Sequence, residues 1–277
     1  MMTKPFYWSV RREVWENRSV LIVPASAAVL FLVAFALNLP GLASAAPNIR
    51  PYRMVCFLLT MASLLTGIFY SLDALHGERR DRSILFWKSM PVSDRVAVLA
   101  KAFIPLILLP VVTLAAGFAA QIVMLLLSAG MLLASGGSMA SLGELPLLHQ
   151  WSDFIFGIAV LAVWQAPIHG WLLLVSGWAR KAVMLWALLL PLALSLFEHF
   201  AFGTDYLGGF LLNRLTAGIV GDGLIVTARL AGLSTMDKIV MLSPGTLAAD
   251  PNLWLGLIPT ILLLAGAVAA RRYRAPI

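Results

Sequence analysis

The sequence predicts an all-α polytopic membrane protein with six transmembrane helices, an N-terminal interfacial helix and a short helical connection on the cytosolic side. Three observations predict it. Of 277 residues, 61% are hydrophobic and only 12% are charged, whereas soluble domains carry about 25% charged residues. The apolar residues collect in six stretches, at roughly 20–39, 54–72, 102–128, 153–178, 183–202 and 253–270, each near the ~20 residues a helix needs to cross about 30 Å of hydrocarbon. Lysine and arginine crowd every second connection, the pattern of chains whose basic loops stay in the cytosol.

With both termini cytosolic, fifteen of the 20 basic residues fall on the inner side and Arg50, Arg53, Arg214, Arg229 and Lys238 on the outer. The formal charge of +7 is therefore mainly a topology signal and an attraction to anionic lipid. A nucleic-acid partner would instead need a basic face on a soluble surface, so none is expected. The spans and their connections leave no room for a separate soluble domain, and residues 1–277 read as a single transmembrane domain.

Taken in order, residues 1–19 precede the first span. Phe6, Tyr7, Val10 and Val14 recur at helical spacing, Arg12, Glu13 and Glu16 lie opposite, and Trp8 and Trp15 are interface-seeking aromatics. This predicts a helix lying along the membrane surface. The first apolar run is too long for the h-region of a signal peptide, despite the small-x-small triplet Ala43-Ser44-Ala45, and is expected to stay as a span. Cys56, the single cysteine, has no partner for an internal disulfide.

The connection at 73–101 is dense in charge and aromatics, Gly77 to Asp94 above all. Asp81 or Ser83 can cap a short helix over Ile84 to Met90, Pro91 stops it, and Ser93 caps a long third helix in which Pro105 and Pro110 offer places to bend. A short amphipathic helix held between two long ones is a mechanical lever. Within the spans the polar residues are Gln121, Gln165 and His169, with Glu198 and His199 near the outer end of helix 5. Such groups line a substrate path or hydrogen-bond between helices, and Glu198 could equally pair with Arg214 or guard an exit. Residues 203–252 carry apolar periodicity broken by glycines and predict interfacial or re-entrant helices at the outer mouth.

The acid, short apolar helix, Pro91-Val92-Ser93 and charged Asp94 resemble the coupling-helix region of type V ABC exporter permeases, the ABC-2-type membrane-spanning components. Arg82 and Ser83 stand where typical members have glycine and threonine. Arg11-Arg12-Glu13-Val14-Trp15-Glu16, the series Trp164, Pro167, Gly170-Trp171-Leu172, and the turn Ala179-Arg180-Lys181 extend the resemblance along the chain. It implies a permease subunit in a bacterial inner membrane that pairs with a second permease chain, identical or related, and with separate ATPase subunits. By the same resemblance Glu78, Arg79, Arg82, Trp87, Lys88 and Asp94 would contact the ATPase, with Pro91 and Ser93 shaping the bend. No Gly-x-x-x-x-Gly-Lys-[Ser/Thr] phosphate loop occurs, so ATP and Mg would belong to the partner chain and this chain would need no cofactor of its own. A secondary transporter driven by an ion gradient is the alternative. A membrane-embedded enzyme is the weaker one, since His76, His149, His169 and His199 are scattered and no catalytic motif groups them.

Overall fold

The computed structural model describes residues 3–43, 48–89, 92–136, 140–215 and 251–273. Every regular element among them is helical: α1 (Thr3–Glu16), α2 (Ser19–Ala43), α3 (Arg50–Asp73), α4 (His76–Arg80), α5 (Ser83–Ser89), α6 (Asp94–Phe103), a π-helical turn (Ile104–Leu108), α7 (Leu109–Ala134), α8 (Ala140–Gly143), α9 (Leu147–Trp178), α10 (Val183–Phe202), α11 (Tyr206–Leu215), α12 (Pro251–Leu255) and α13 (Leu257–Tyr273). Among the described residues, six helical runs are long and apolar enough to cross a membrane: Ser19–Leu39, Arg50–Arg80, Asp94–Ala134, Leu147–Trp178, Val183–Phe202 and Leu253–Tyr273. In hydrocarbon a backbone must satisfy its own hydrogen bonds, and helices of leucine, alanine, valine and phenylalanine do so while presenting apolar side chains outward. The chain is an all-α polytopic membrane protein.

The third run changes pitch where its prolines lie. Pro105 and Pro110 each lack an N–H, so two ladder bonds within about two turns cannot form. The helix opens into a π turn, and the Leu109 N–H bonds to the Ile104 carbonyl five residues back. The bend foreseen at these prolines is thus a widened turn, set against α9 and α3.

Helix α9 is the central post. Within the apolar windows of the six runs, 61% of residues are buried in α9 but only 11% in α10, so α9 is surrounded by protein while α10 presents nearly all of itself outward. Gly170 and Gly177, two turns apart, let α13 approach closely. A Cβ on Gly170 would meet the Leu263 Cβ at 3.3 Å, and one on Gly177 would meet the Ala270 Cβ at 3.3 Å, a use of small residues common between membrane helices. Helix α2 packs on α3 and α7 around Val55, Leu59, Ala120 and Met124.

The two ends of the bundle differ. One, the basal end, gathers α1, α4, α5, the start of α6 and the end of α13. Here the helical spacing of Phe6, Val10 and Val14 is real, but the face they define is turned inward. Val10 and Val14 pack against the core of Tyr70, Val98 and Ala102, and Phe6 meets Phe103 edge to face at 5.6 Å. Tyr7, Trp8 and Trp15 are exposed instead, with the Arg11 guanidinium 5.1 Å from the Trp8 ring and 4.5 Å from the Trp15 ring. Part of the predicted apolar face thus packs on the protein, and an aromatic and cationic face is left outside.

Candidate functional site

The basal end holds a cluster of buried charge. Glu13 (1% exposed) and Lys101 (2% exposed) face each other, and the Lys101 Nζ donates to both Glu13 carboxylate oxygens at 2.9 and 3.0 Å. The Tyr70 hydroxyl donates to Glu13 Oε2 at 2.9 Å, and Arg12 also pairs with Glu13. Glu78 closes the ring. It accepts from Arg12 at 2.9 Å, lies 3.1 Å from Lys101 and 3.3 Å from Arg271, whose Nε is 3.4 Å from Asp94. Three cations (Arg12, Lys101, Arg271) thus face buried Glu13 and Glu78 and partly buried Asp94, with exposed Glu16 also 3.6 Å from Arg12, and this pairing is what lets the buried charges leave water. Burial pushes the Glu13 carboxyl up, but Lys101 and Arg12 more than reverse this and hold it below the usual carboxylate range. Burial likewise pulls on the Arg12 guanidinium, and Glu13 and Glu78 raise it above its ordinary value.

Helix α5 is joined to this cluster. Arg82 takes a left-handed backbone conformation (φ 57°), rare for a residue with a side chain, and this breaks the helical path between α4 and α5. The helix begins at Ser83, within a residue of the predicted start. Ile84 is buried while Leu85 and Phe86 are each 59% exposed. Trp87 lies under the Arg12 guanidinium at 4.0 Å, so α5 grips the charge cluster through one aromatic ring. Ser93 caps α6 as foreseen, accepting the Val96 N–H at 3.3 Å.

The residues singled out from the sequence divide accordingly. Glu78 and Asp94 are joined in the cluster. Arg79, 2% exposed, donates to the Gly177 and Ala179 carbonyls at 2.9 and 3.0 Å, satisfying the carbonyl end of α9. Both Glu78 and Arg79 thus turn into the fold, while Arg82 points outward and Trp87 bridges the two environments. The Lys88 side chain and Pro91 lie outside the described residues.

The intramembrane candidates separate as well. Gln121 is fully buried; its Nε2 donates to the Tyr52 carbonyl and the Cys56 Sγ, each at 2.9 Å, and its Oε1 accepts from the Trp151 indole at 2.5 Å. These bonds tie α3, α7 and α9 together. Gln165 donates to the Arg214 carbonyl at 3.2 Å. His169 Nδ1 is 3.1 Å from Ser71 Oγ, and Gln165 and His169 share one cavity of about 30 Å³. At the opposite end of the bundle, Glu198 accepts from Thr204 Oγ1 and from the Tyr206 and Leu207 N–H groups at 2.8–2.9 Å. It caps α11. Arg214 lies elsewhere, its guanidinium donating to the Trp164 carbonyl at 3.0 Å and stacked 4.5 Å from that indole. The rest of the predicted outer segment, 216–250, is outside the described residues.

Sequence reasoning passed over Glu13, Lys101, Tyr70 and Arg271 as site residues. Lys101 had one usable signal, a lysine in the apolar run Val98 to Leu109, where an unpaired ammonium would be unfavourable. No family model, curated protein or solved structure matches this chain.

Proposed function

We propose that this chain is the membrane-spanning subunit of an ATP-driven exporter, forming the transport path with a second permease chain and taking its motion from a separate ATPase subunit. The observation that carries the reading is the attachment of α5. A seven-residue helix lies between two membrane-spanning runs. It turns Leu85 and Phe86 outward and is fixed inward by buried Ile84 and by Trp87 on Arg12. A force on its outer face passes through Arg12 to Glu13, Glu78 and Lys101, and so to α1, α4 and α6 together.

In this reading the basal end faces the cytosol, as its lysines and arginines favour, both termini lie inside, and the host membrane is a bacterial inner membrane. ATP and Mg belong to the ATPase, and this chain carries out no chemistry of its own. The partner surface narrows to Arg82, Leu85 and Phe86, with Trp87 as the transmission residue. Glu78, Arg79 and Asp94 act behind it.

Losing the cation–π contact costs only about 1–2 kcal/mol, too little to unfold the bundle. Trp87→Ala is therefore expected to leave insertion and ATPase binding in place while transport falls and ATP hydrolysis runs on unproductively. Transport measured in reconstituted vesicles with the cognate ATPase tests this. Transport that needs an ion gradient and proceeds without any ATPase would replace the reading with a secondary transporter.

A further inference from the structure

The cavity beside His169 lies where the π turn faces α3 and the proline of α9. Its walls include the π-turn prolines Pro105 and Pro110, and from α9 Gln165 and His169 on either side of Pro167. On α3, Gly67 lies against the imidazole, since a Cβ there would come within 3.0 Å of His169 Cε1. Thr60, Ser63 and Thr113 supply hydroxyls to the same space.

Most of the hydrogen atoms of these polar groups are already committed. Thr60 donates to the Cys56 carbonyl at 2.8 Å and Thr113 to the Leu109 carbonyl at 2.7 Å. The 2.5 Å contact between Ser63 and Thr113 must then use the Ser63 hydrogen. Gln165 Nε2 gives one of its two hydrogens to the Arg214 carbonyl and keeps the other. Ser71 donates to the Gly67 carbonyl at 2.7 Å, so at the Ser71–His169 contact the histidine is the donor, Nδ1 carries the proton, and Nε2 is left as a lone pair. What remains for the cavity is mostly acceptors, namely hydroxyl lone pairs, the Gln165 Oε1 and the His169 Nε2, beside a single Gln165 N–H.

We infer that this cavity is a water site, holding one or two molecules that donate hydrogen bonds to His169 Nε2, Gln165 Oε1 and the Ser63–Thr113 hydroxyl pair. The volume suits this, because a water needs about 10–15 Å³ of such space and two to four polar partners. Water, which donates twice and also accepts, matches a lining in which acceptors outnumber donors. No carboxylate is among the lining residues to compensate a cation in so apolar a setting, which selects the neutral ligand. Water here is a replaceable polar filling between α3, the π turn and α9, so these helices can shift against one another without stranding buried acceptors. The inference rests on the bundle's geometry and stands apart from the exporter reading.

The test is magic-angle-spinning NMR of protein labelled with ¹⁵N-histidine, reconstituted in phosphatidylcholine vesicles, with the His169 signal assigned by its loss in His169→Phe. The expected result is a neutral ring protonated at Nδ1, an unprotonated Nε2, and magnetisation transfer from water to that ring. Thr113→Val keeps the packing but deletes a lone-pair site and should lower the transfer about fivefold, the occupancy change that accompanies one lost hydrogen bond. Gly67→Ala should lower it too, by pushing the ring into the space. A ring protonated at Nε2, or no transfer from water in the wild-type protein, overturns the inference. A His169 signal that shifts with sodium or ammonium chloride but not with choline chloride also overturns it, in favour of a cation site.

Discussion

Replacing Lys101 by methionine removes the ammonium that holds two carboxylates at the basal end and leaves a side chain of similar length. In the native cluster Nζ lies 2.9 and 3.0 Å from the Glu13 oxygens and 3.1 Å from Glu78. One such pair at an effective dielectric of about 20 is attractive by about 6 kcal/mol, and desolvation offsets much of this. Breaking a buried pair from one side typically costs about 3–5 kcal/mol. Glu13 keeps Arg12 and Tyr70, and Glu78 keeps Arg12 and Arg271, so the low end applies, about 3 kcal/mol. Glu13→Gln should cost a similar amount. The double variant should cost little more than either alone, a coupling energy of about 2–3 kcal/mol. Reversible unfolding in mixed detergent micelles, followed by tryptophan fluorescence, supplies the four stabilities. Single losses under about 1 kcal/mol, or losses that add within about 0.5 kcal/mol, would refute the claim that this pair joins α1 to α6.

The same carboxylate fixes a pH dependence: because its folded value lies below the ordinary 4.5, its contribution is complete above that pH and is lost as pH falls through the depressed value. An acid titration of stability should therefore be level above about pH 4.5 and fall below it, and Glu13→Gln should flatten the fall. Arg79→Ala, which strips two donors from the carbonyl end of α9, should destabilise by about 3 kcal/mol, read in the same unfolding assay, and leave α5 exposed as before to cysteine labelling. Glu198→Ala should cost only about 1 kcal/mol, the loss of a cap, with hydrogen exchange rising at Tyr206 and Leu207 and the rest of the bundle unaffected.

The spans were legible because hydropathy alone reports them. The six apolar stretches sit inside the six observed helical runs, which extend past them where polar residues continue the helix, as Arg50 and Arg53 do in α3. The α6 cap was legible too, since Ser93 and its partner Val96 are three residues apart. The charge cluster was not. Glu13 and Lys101 are separated by 88 residues and Arg12 and Glu78 by 66, and no local periodicity encodes a pairing between helices. Lysine and arginine were counted for topology, a count blind to whether a guanidinium faces water or, as with Arg79, the end of a neighbouring helix. The spacing in α1 shows a similar limit: it groups Phe6, Val10 and Val14 on one face, but a hydrophobic face suits lipid and protein equally. Gln121 was found in sequence as a polar residue in hydrocarbon, and its three partners on two other helices explain why it is tolerated there.

The proposed exporter requires α5 to receive motion from an ATPase on the cytosolic side. A cysteine at position 86, in a background with Cys56→Ala, tests it most directly by crosslinking in intact cells and inverted vesicles. The prediction is labelling by impermeant reagents only in inverted vesicles, together with a crosslink to an ATP-binding subunit that changes in yield when nucleotide is added. Labelling from the outside of intact cells, or no crosslink to any ATP-binding subunit while transport is active, would contradict it.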